Sequence, residues 1–215
     1  SIYMNKDYGN VKGYTFSLTK RYDPVSRTSA FVDYTYQVTE GNSVTSGSFY
    51  YNALSGEQEE KRIVPLAWDQ RHILNTNVSV GDPRNWNLGI ISKLSSGWPY
   101  TPNIPDANYV PQPNSGRKPW QWRVDMRLHK NIKIGKLNYL IFMKVYNLLD
   151  RRNERYVFND TGRAGYTYVF QSTQETQGFK SHYGEPGVHE WSEYQVRPHY
   201  YTAPRSVNVG FSVDF

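Results

Sequence analysis

The sequence predicts an all-β chain whose antiparallel strands form a segment of a transmembrane β-barrel. Three observations carry this. Apolar and polar residues alternate with period two in seven separate runs, the connections between the runs alternate short and long, and the chain ends on an alternating strand closed by Phe215. Period-two alternation marks a strand with two unlike faces. About ten residues is the length a tilted strand needs to cross a bilayer.

The runs follow in chain order. In 11–22, Tyr14, Phe16 and Leu18 alternate with Gly13, Thr15, Ser17 and Thr19, and in 28–38, Ala30, Val32, Tyr34, Tyr36 and Val38 alternate with Ser29, Asp33, Thr35 and Gln37. Residues 70–80 set Leu74, Val78 and Val80 against Arg71, Asn75, Asn77 and Ser79; residues 86–95 set Trp86, Leu88, Ile90 and Leu94 against Asn87, Gly89, Lys93 and Ser95. The most regular run is 120–130, where Trp120, Trp122, Val124, Met126 and Leu128 alternate with Gln121, Arg123, Asp125, Arg127 and His129. Residues 136–147 are apolar on one side through Leu137, Tyr139, Ile141, Met143 and Val145, and carry Leu140 and Phe142 beside Asn138 and Lys144 on the other. The last run, 205–215, places Val207, Val209, Phe211, Val213 and Phe215 opposite Ser206, Asn208, Gly210, Ser212 and Asp214.

The connections carry the second signal. YDPVSR, GDPRN and NIKIGK are short and rich in Pro, Gly, Asp and Asn, as tight turns are; between them lie long polar loops at 39–68, 96–119 and 148–204. Outer-membrane barrels show this asymmetry, with short periplasmic turns and long extracellular loops. A last strand running down to a periplasmic terminus puts all three long loops outside. A soluble sandwich has no reason to sort its loops in this way. Within the third loop, YVFND and YTYVF flank TGRAG, which predicts a hairpin standing above the membrane.

Composition agrees. Mean hydropathy is -0.74, yet 16% of the residues are aromatic, including 19 tyrosines. Disordered chains are poor in such residues, whereas a barrel wall combines one greasy face, one wet face and aromatic girdles. Trp68, Trp86, Trp98, Trp120 and Trp122 stand at the predicted strand ends, where an indole suits a membrane interface. The longest apolar run, Tyr139 to Met143, is far short of the roughly 20 residues of a membrane helix. The opening SIYMNKDYGN is polar, so an export signal is expected upstream or already removed. The absence of cysteine excludes disulfides and thiolate metal sites. The +6 charge is scattered through the alternating runs rather than clustered, which argues against a nucleic-acid partner.

The terminal NVGFSVDF resembles the assembly signal of outer-membrane proteins: Asn208, Gly210, Val213 and Phe215 match its polar, glycine, apolar and final aromatic positions. By that resemblance the strand is read by the barrel-assembly machinery, with Phe215 on the lipid face and Gly210 leaving one lumen-facing position bare. WDQRHILN (68–75), SSGWPYTP (95–102), VYNLLDRRN (145–153) and DTGRAGYT (160–167), in that order, resemble the C-terminal barrel of TonB-dependent receptors. The family commonly has Phe where this chain has Leu149. The resemblance implies about seven strands of a 22-stranded barrel, with the plug and TonB box outside this chain. It also implies outer-membrane lipid and lipopolysaccharide, the TonB complex and an extracellular ligand as partners. An open seven-stranded sheet leaves two edges unpaired, which is costly in lipid, so the chain is expected to be a fragment or to be completed by another chain.

Charged residues on the polar side of the runs are candidates to face the lumen: Asp33, Arg71, Lys93, Arg123, Asp125, Arg127 and Lys144. Such charges are tolerated by a wet lumen and costly in lipid. The bland account is a hydrated wall with cross-strand ion pairs; the sharper one is a part in passing substrate. His182, Glu185, His189, Glu190 and Glu193 cluster in the third loop, where a solvated loop outweighs a metal site. DQRH (69–72) could suggest acid–base work, but the family resemblance implies a structural or ligand-near role, and TGRAG lacks the Lys-Ser/Thr of a phosphate loop. The third loop holds 11 aromatics among 57 residues, with six Lys or Arg against seven Asp or Glu, and suits a neutral or stacking ligand or a packed lid. No catalytic constellation and no cofactor is implied. The expected function is TonB-dependent uptake of a scarce solute; a structural or adhesive outer-membrane barrel is the alternative, ahead of a soluble all-β binding module and a membrane-embedded hydrolase.

Overall fold

A computed structural model describes residues 8–42, 54, 62–103, 111–168 and 197–214. Among these residues ten strands follow in order: β1 (Gly9–Asp23), β2 (Thr28–Gly41), β3 (Val64–Pro65), β4 (His72–Asp82), β5 (Trp86–Ser95), β6 (Pro99–Tyr100), β7 (Gly116–Arg117), β8 (Gln121–Ile134), β9 (Leu137–Tyr146) and β10 (Ser206–Asp214). The seven long ones form a single antiparallel meander, β1-β2-β4-β5-β8-β9-β10, with β3 beside the end of β2; β6 and β7 pair separately. The sheet is open, with β1 and β10 as its edges.

The chain turns tightly at one end of this sheet. At 24–27 the Asp23 carboxylate accepts the N–H groups of Val25 (3.0 Å) and Ser26 (3.2 Å). At 83–85 Asp82 does the same for Arg84 (3.0 Å). The third turn is shorter than NIKIGK suggests. Ile134 pairs with Leu137, leaving a two-residue loop in which Gly135 takes φ 60°, as the first position of a type II′ hairpin requires. β8 therefore runs to Ile134. The three long connections, 42–71, 96–120 and 147–205, gather at the opposite end.

Register decides what the two faces are. Phe16 lies opposite Tyr34, Tyr34 opposite Leu74, Leu74 opposite Leu94 and Leu94 opposite Trp122. Further along, Leu128 lies opposite Met143 and Met143 opposite Val209. Every long strand enters in the same phase, so the alternating apolar residues of all seven share one face, with Phe31, Ile91 and Phe142 left on the other. Among the described residues no element is stacked on the shared face: each long strand contacts its neighbours in the sheet, and on the edge strands Phe16, Leu18, Val209 and Phe211 are 68, 71, 70 and 76% exposed, while Val124 and Val145 on the inner strands are buried. The buried apolar residues among those described are five, Val64, Val124, Val145, Val157 and Ala164. No central hydrophobic core is built from them.

Aromatic side chains form a belt across the apolar face near its long-loop end. Tyr14 meets Tyr36 (5.3 Å between centroids), Tyr36 meets His72 (5.2 Å), and His72 stacks on Trp120 (5.6 Å). The Tyr34 hydroxyl bonds His72 Nδ1 at 2.9 Å. Toward the turn end the apolar face carries Lys20 and Lys130, whose amines reach out to the turns, Lys20 to Thr28 Oγ1 and Lys130 to Asn85 Oδ1, each 2.5 Å. Long basic side chains next to apolar surface place their charge in this way.

Gly210 is not a bare position. It pairs with Phe142, and a Cβ on it would lie 2.5 Å from Phe142 Cζ, so the ring lies over the glycine on the polar face. An aromatic ring that shields a strand glycine shores up a pair otherwise weakened by the missing side chain. Phe215 lies outside the described residues. Phe142→Ala is expected to destabilise the β9–β10 pair by about 1 kcal/mol, read as faster amide exchange in β10 with β1 and β2 unchanged.

Candidate functional site

Two surfaces carry the polar chemistry: the wet face of the sheet and the three connections at its long-loop end. On the polar face, one row runs Ser17, Asp33, Asn75, Lys93, Arg123 across five strands. Asp33 accepts the Ser17 hydroxyl at 2.6 Å. Arg123 donates Nε–H to Asp125 at 2.9 Å and lies over the Tyr146 ring at 5.8 Å. Asp125 also accepts the Asn147 N–H at 2.8 Å, so it joins the wall to the third connection. Arg127 and Lys144 sit opposite one another on β8 and β9. Six of the seven charged candidates thus share one face of the strands. The seventh, Arg71, precedes β4 at the loop end and belongs to a different assembly.

That assembly is centred on Asp69. Its side chain is wholly buried and accepts the Thr39 N–H (2.8 Å), Arg71 Nε–H (2.9 Å) and an Arg117 guanidinium N–H. Arg71 also stands 3.9 Å from Glu40. Burial pushes the Asp69 carboxyl up, but the two guanidinium groups and the Thr39 amide more than offset it and hold the group below the ordinary aspartate range. One carboxylate thereby binds β2, the approach to β4, and β7. Asn114 adds a bond from its side-chain amide to the Pro65 carbonyl, 2.8 Å.

A second joint connects the middle connection to the third. Gly116 and Gly162 both lie against the Tyr100 ring: a Cβ on Gly116 would fall 2.5 Å from Tyr100 Cε1, and one on Gly162 would strike its hydroxyl end. Gly162 also takes φ 67°, which independently favours glycine. The Asn103 N–H donates to the Asn159 carbonyl at 2.9 Å alongside. Burial and the Asp160 carboxylate push the Tyr100 phenol up.

The third joint is a pair of asparagines. Asn153 uses both ends of its side chain on Trp122, accepting its N–H and donating to its carbonyl, each at 2.9 Å, as a neighbouring strand would. Asn147, at φ 53°, donates to the carbonyls of Arg151 (3.1 Å) and Ala203 (3.0 Å). Both are buried. Arg123, Tyr146, Asn147, Asn153 and Thr202 enclose a small hollow of about 230 Å³ beside them.

The TGRAG segment turns as expected, with the Gly162 N–H donating to the Phe158 carbonyl at 2.8 Å, but no strands flank it among the described residues. Side chains take the bonds a ladder would use: Glu154 accepts the Ala164 N–H (2.6 Å) and Arg163 Nη–H (2.8 Å). The quoted motifs fall on these joints. DQRH holds Asp69 and Arg71, SSGWPYTP holds Tyr100, VYNLLDRRN holds both asparagines, and DTGRAGYT holds Gly162. Arg117 and Glu154 carried no signal in the sequence, because each matters only through the partner the fold brings to it, Asp69 for Arg117 and the Arg163–Ala164 turn for Glu154.

His182, Glu185, His189, Glu190 and Glu193 lie outside the described residues. Among the described residues no group of His, Asp or Glu side chains could hold a metal ion, and no helix is long and apolar enough to cross a membrane, which says nothing about strands. No family model, curated protein or solved structure matches the chain.

Two outcomes are expected. Arg117→Gln, which leaves Asp69 with Arg71 and the Thr39 N–H, should cost about 2 kcal/mol locally, seen as faster exchange of the Lys118 amide that donates to Trp98. Because the folded-state Asp69 carboxyl is depressed, its contribution is complete above the unfolded value near 3.8 and is lost as pH falls through the folded one. Acidification below that value should loosen the long-loop end, measured by protease sensitivity, and Asp69→Asn should abolish this pH step.

Proposed function

We propose that the chain is a segment of the wall of an outer-membrane β-barrel, and that the whole protein is a TonB-dependent receptor taking up a scarce solute. The observation that carries the membrane part is the apolar face shared by seven strands, on which no described element is stacked. Six interstrand spacings of about 4.8 Å make it roughly 29 Å wide. The 11 residues of β4, at about 3.3 Å each and tilted by about 40°, make it roughly 28 Å tall. That is on the order of 800 Å², whereas soluble monomers rarely expose contiguous apolar patches beyond a few hundred Å². The height matches the roughly 25 Å apolar band of outer-membrane barrels. The aromatic belt then lies at the outer interface, against lipid and lipopolysaccharide head groups.

On this reading the turns face the periplasm, the three long connections face outward, and the polar face lines the lumen. The edges β1 and β10 are continued by strands beyond this sheet, since unpaired backbone in hydrocarbon costs several kcal/mol per group. The receptor assignment rests on the motifs that resemble the TonB-dependent family, together with their position. They form the joints of the outward end, where a ligand arrives. The second reading, a structural or adhesive barrel, is favoured by the mutual bracing of those connections, which suits a fixed binding surface as well as a gate.

The class is tested in the intact gene product. TonB-dependent uptake predicts a plug and TonB box upstream and solute accumulation that stops when TonB is deleted; accumulation indifferent to TonB sinks the receptor reading. The membrane part is tested separately. Val209→Arg on the apolar face should cost about 2–4 kcal/mol and reduce the folded, heat-modifiable fraction in outer membranes. Ser212→Arg on the opposite face should cost less than about 1 kcal/mol. Equal, near-zero costs for both, as for water-exposed sites, would remove the lipid contact.

A further inference from the structure

We propose that a hollow on the polar face, between β4 and β9, is a binding site for a phosphate-type oxyanion of a small solute, held between Arg127 and Lys144. Register puts Ser79, Gly89, Arg127, Lys144 and Asn208 in one row across five strands. Two cations therefore stand directly opposite on adjacent strands, an arrangement that destabilises a strand pair when nothing lies between them. Four arginines of the chain are paired with carboxylates, Arg71 and Arg117 with Asp69, Arg123 with Asp125 and Arg163 with Glu154. Arg127 and Lys144 have no carboxylate partner among the described residues; the Lys144 amine instead lies over the Phe142 ring, 5.3 Å from its centroid. Asp125, the one carboxylate on the wall of the hollow, already takes Arg123 Nε–H and the Asn147 N–H on a single oxygen.

The space is there as well as the charge. The hollow has a volume of about 420 Å³, within the size range of small-molecule sites. Gly89 opens its floor, since an added Cβ would meet nothing nearer than the Arg127 carbonyl at 3.9 Å. Ser79 and Asn87, bonded to each other at 2.9 Å, and Asn77 supply further donors around it. An anion with several acceptor oxygens suits a planar guanidinium, a mobile amine and neutral donors on one wall. The site rests on the polar face alone and holds whether or not the intact protein is a transporter.

The test uses the full-length protein in detergent micelles at constant ionic strength, with inorganic phosphate as the probe and chloride as the balancing anion. Phosphate should bind saturably and raise the unfolding temperature. Arg127→Gln and Lys144→Gln should each weaken binding at least about tenfold, and the double variant should lose both binding and the thermal shift. Lys133→Gln, on the same face beyond the hollow, should change neither. Without phosphate, Lys144→Gln should unfold at a higher temperature than the native protein, because the repulsion is gone, a rise that a general loss of stability cannot produce. Phosphate binding that is absent, or equal in native and double-variant protein, overturns the site. So does a carbodiimide cross-link from Lys144 to a carboxylate elsewhere in the chain, which would make the anion an internal one.

Discussion

The structure depends on a common phase of pairing. In a β-strand a shift of one residue exchanges its two faces, so a single slipped register among the six strand pairs would set greasy side chains among charged ones. The one shift among these pairs is a bulge between Lys20 and Asp23 at the turn end of β1; beyond it the row from Phe16 through Tyr34, Leu74, Leu94 and Trp122 stays on one side. The tight turns enforce this. A two-residue loop at Gly135 and Asp-capped turns at 24–27 and 83–85 leave few alternative registers. Stability therefore comes from ladder hydrogen bonds and cross-strand pairs rather than from a buried core.

At the other end the problem is reversed. Long connections have no ladder of their own, and their backbone groups still need partners. The chain answers with side chains. Asp69, Asn147, Asn153 and Glu154 each bond several backbone or guanidinium groups at once, and Tyr100 is clasped by two glycines from different connections. These joints link the three connections in series, the first to the middle through Asp69 and Arg117, the middle to the third through Tyr100 and Gly162. A ligand touching one of them would be felt by the others, which is the physical basis for treating the long-loop end as a single surface.

The polar face divides its charges unequally. Asp33 and Asp125 are occupied by local hydrogen bonds, while the basic residues outnumber them. Some cations find carboxylates, and the Arg127–Lys144 pair does not. An electropositive strip of this kind attracts anions before any specific contact is made.

Strand existence, face alternation and the sorting of loops by length were all legible in the sequence, because each is a local pattern of period two or a local cluster of turn residues. The seven runs lie where the seven long strands lie, with β8 longer than its alternation suggested and the TGRAG hairpin reduced to a turn held by Glu154. Six of the seven charged candidates share a face for the same reason, since alternation assigns faces within a strand. What only the tertiary structure decided is everything that needs two distant segments. The register that merges seven faces into one, the burial of Asp69 under arginines 2 and 48 positions away, the Phe142 ring over Gly210 and the unneutralised pairing of Arg127 with Lys144 are all of this kind. Such contacts depend on which strand lies beside which and at what offset, and no local pattern in the chain encodes that offset.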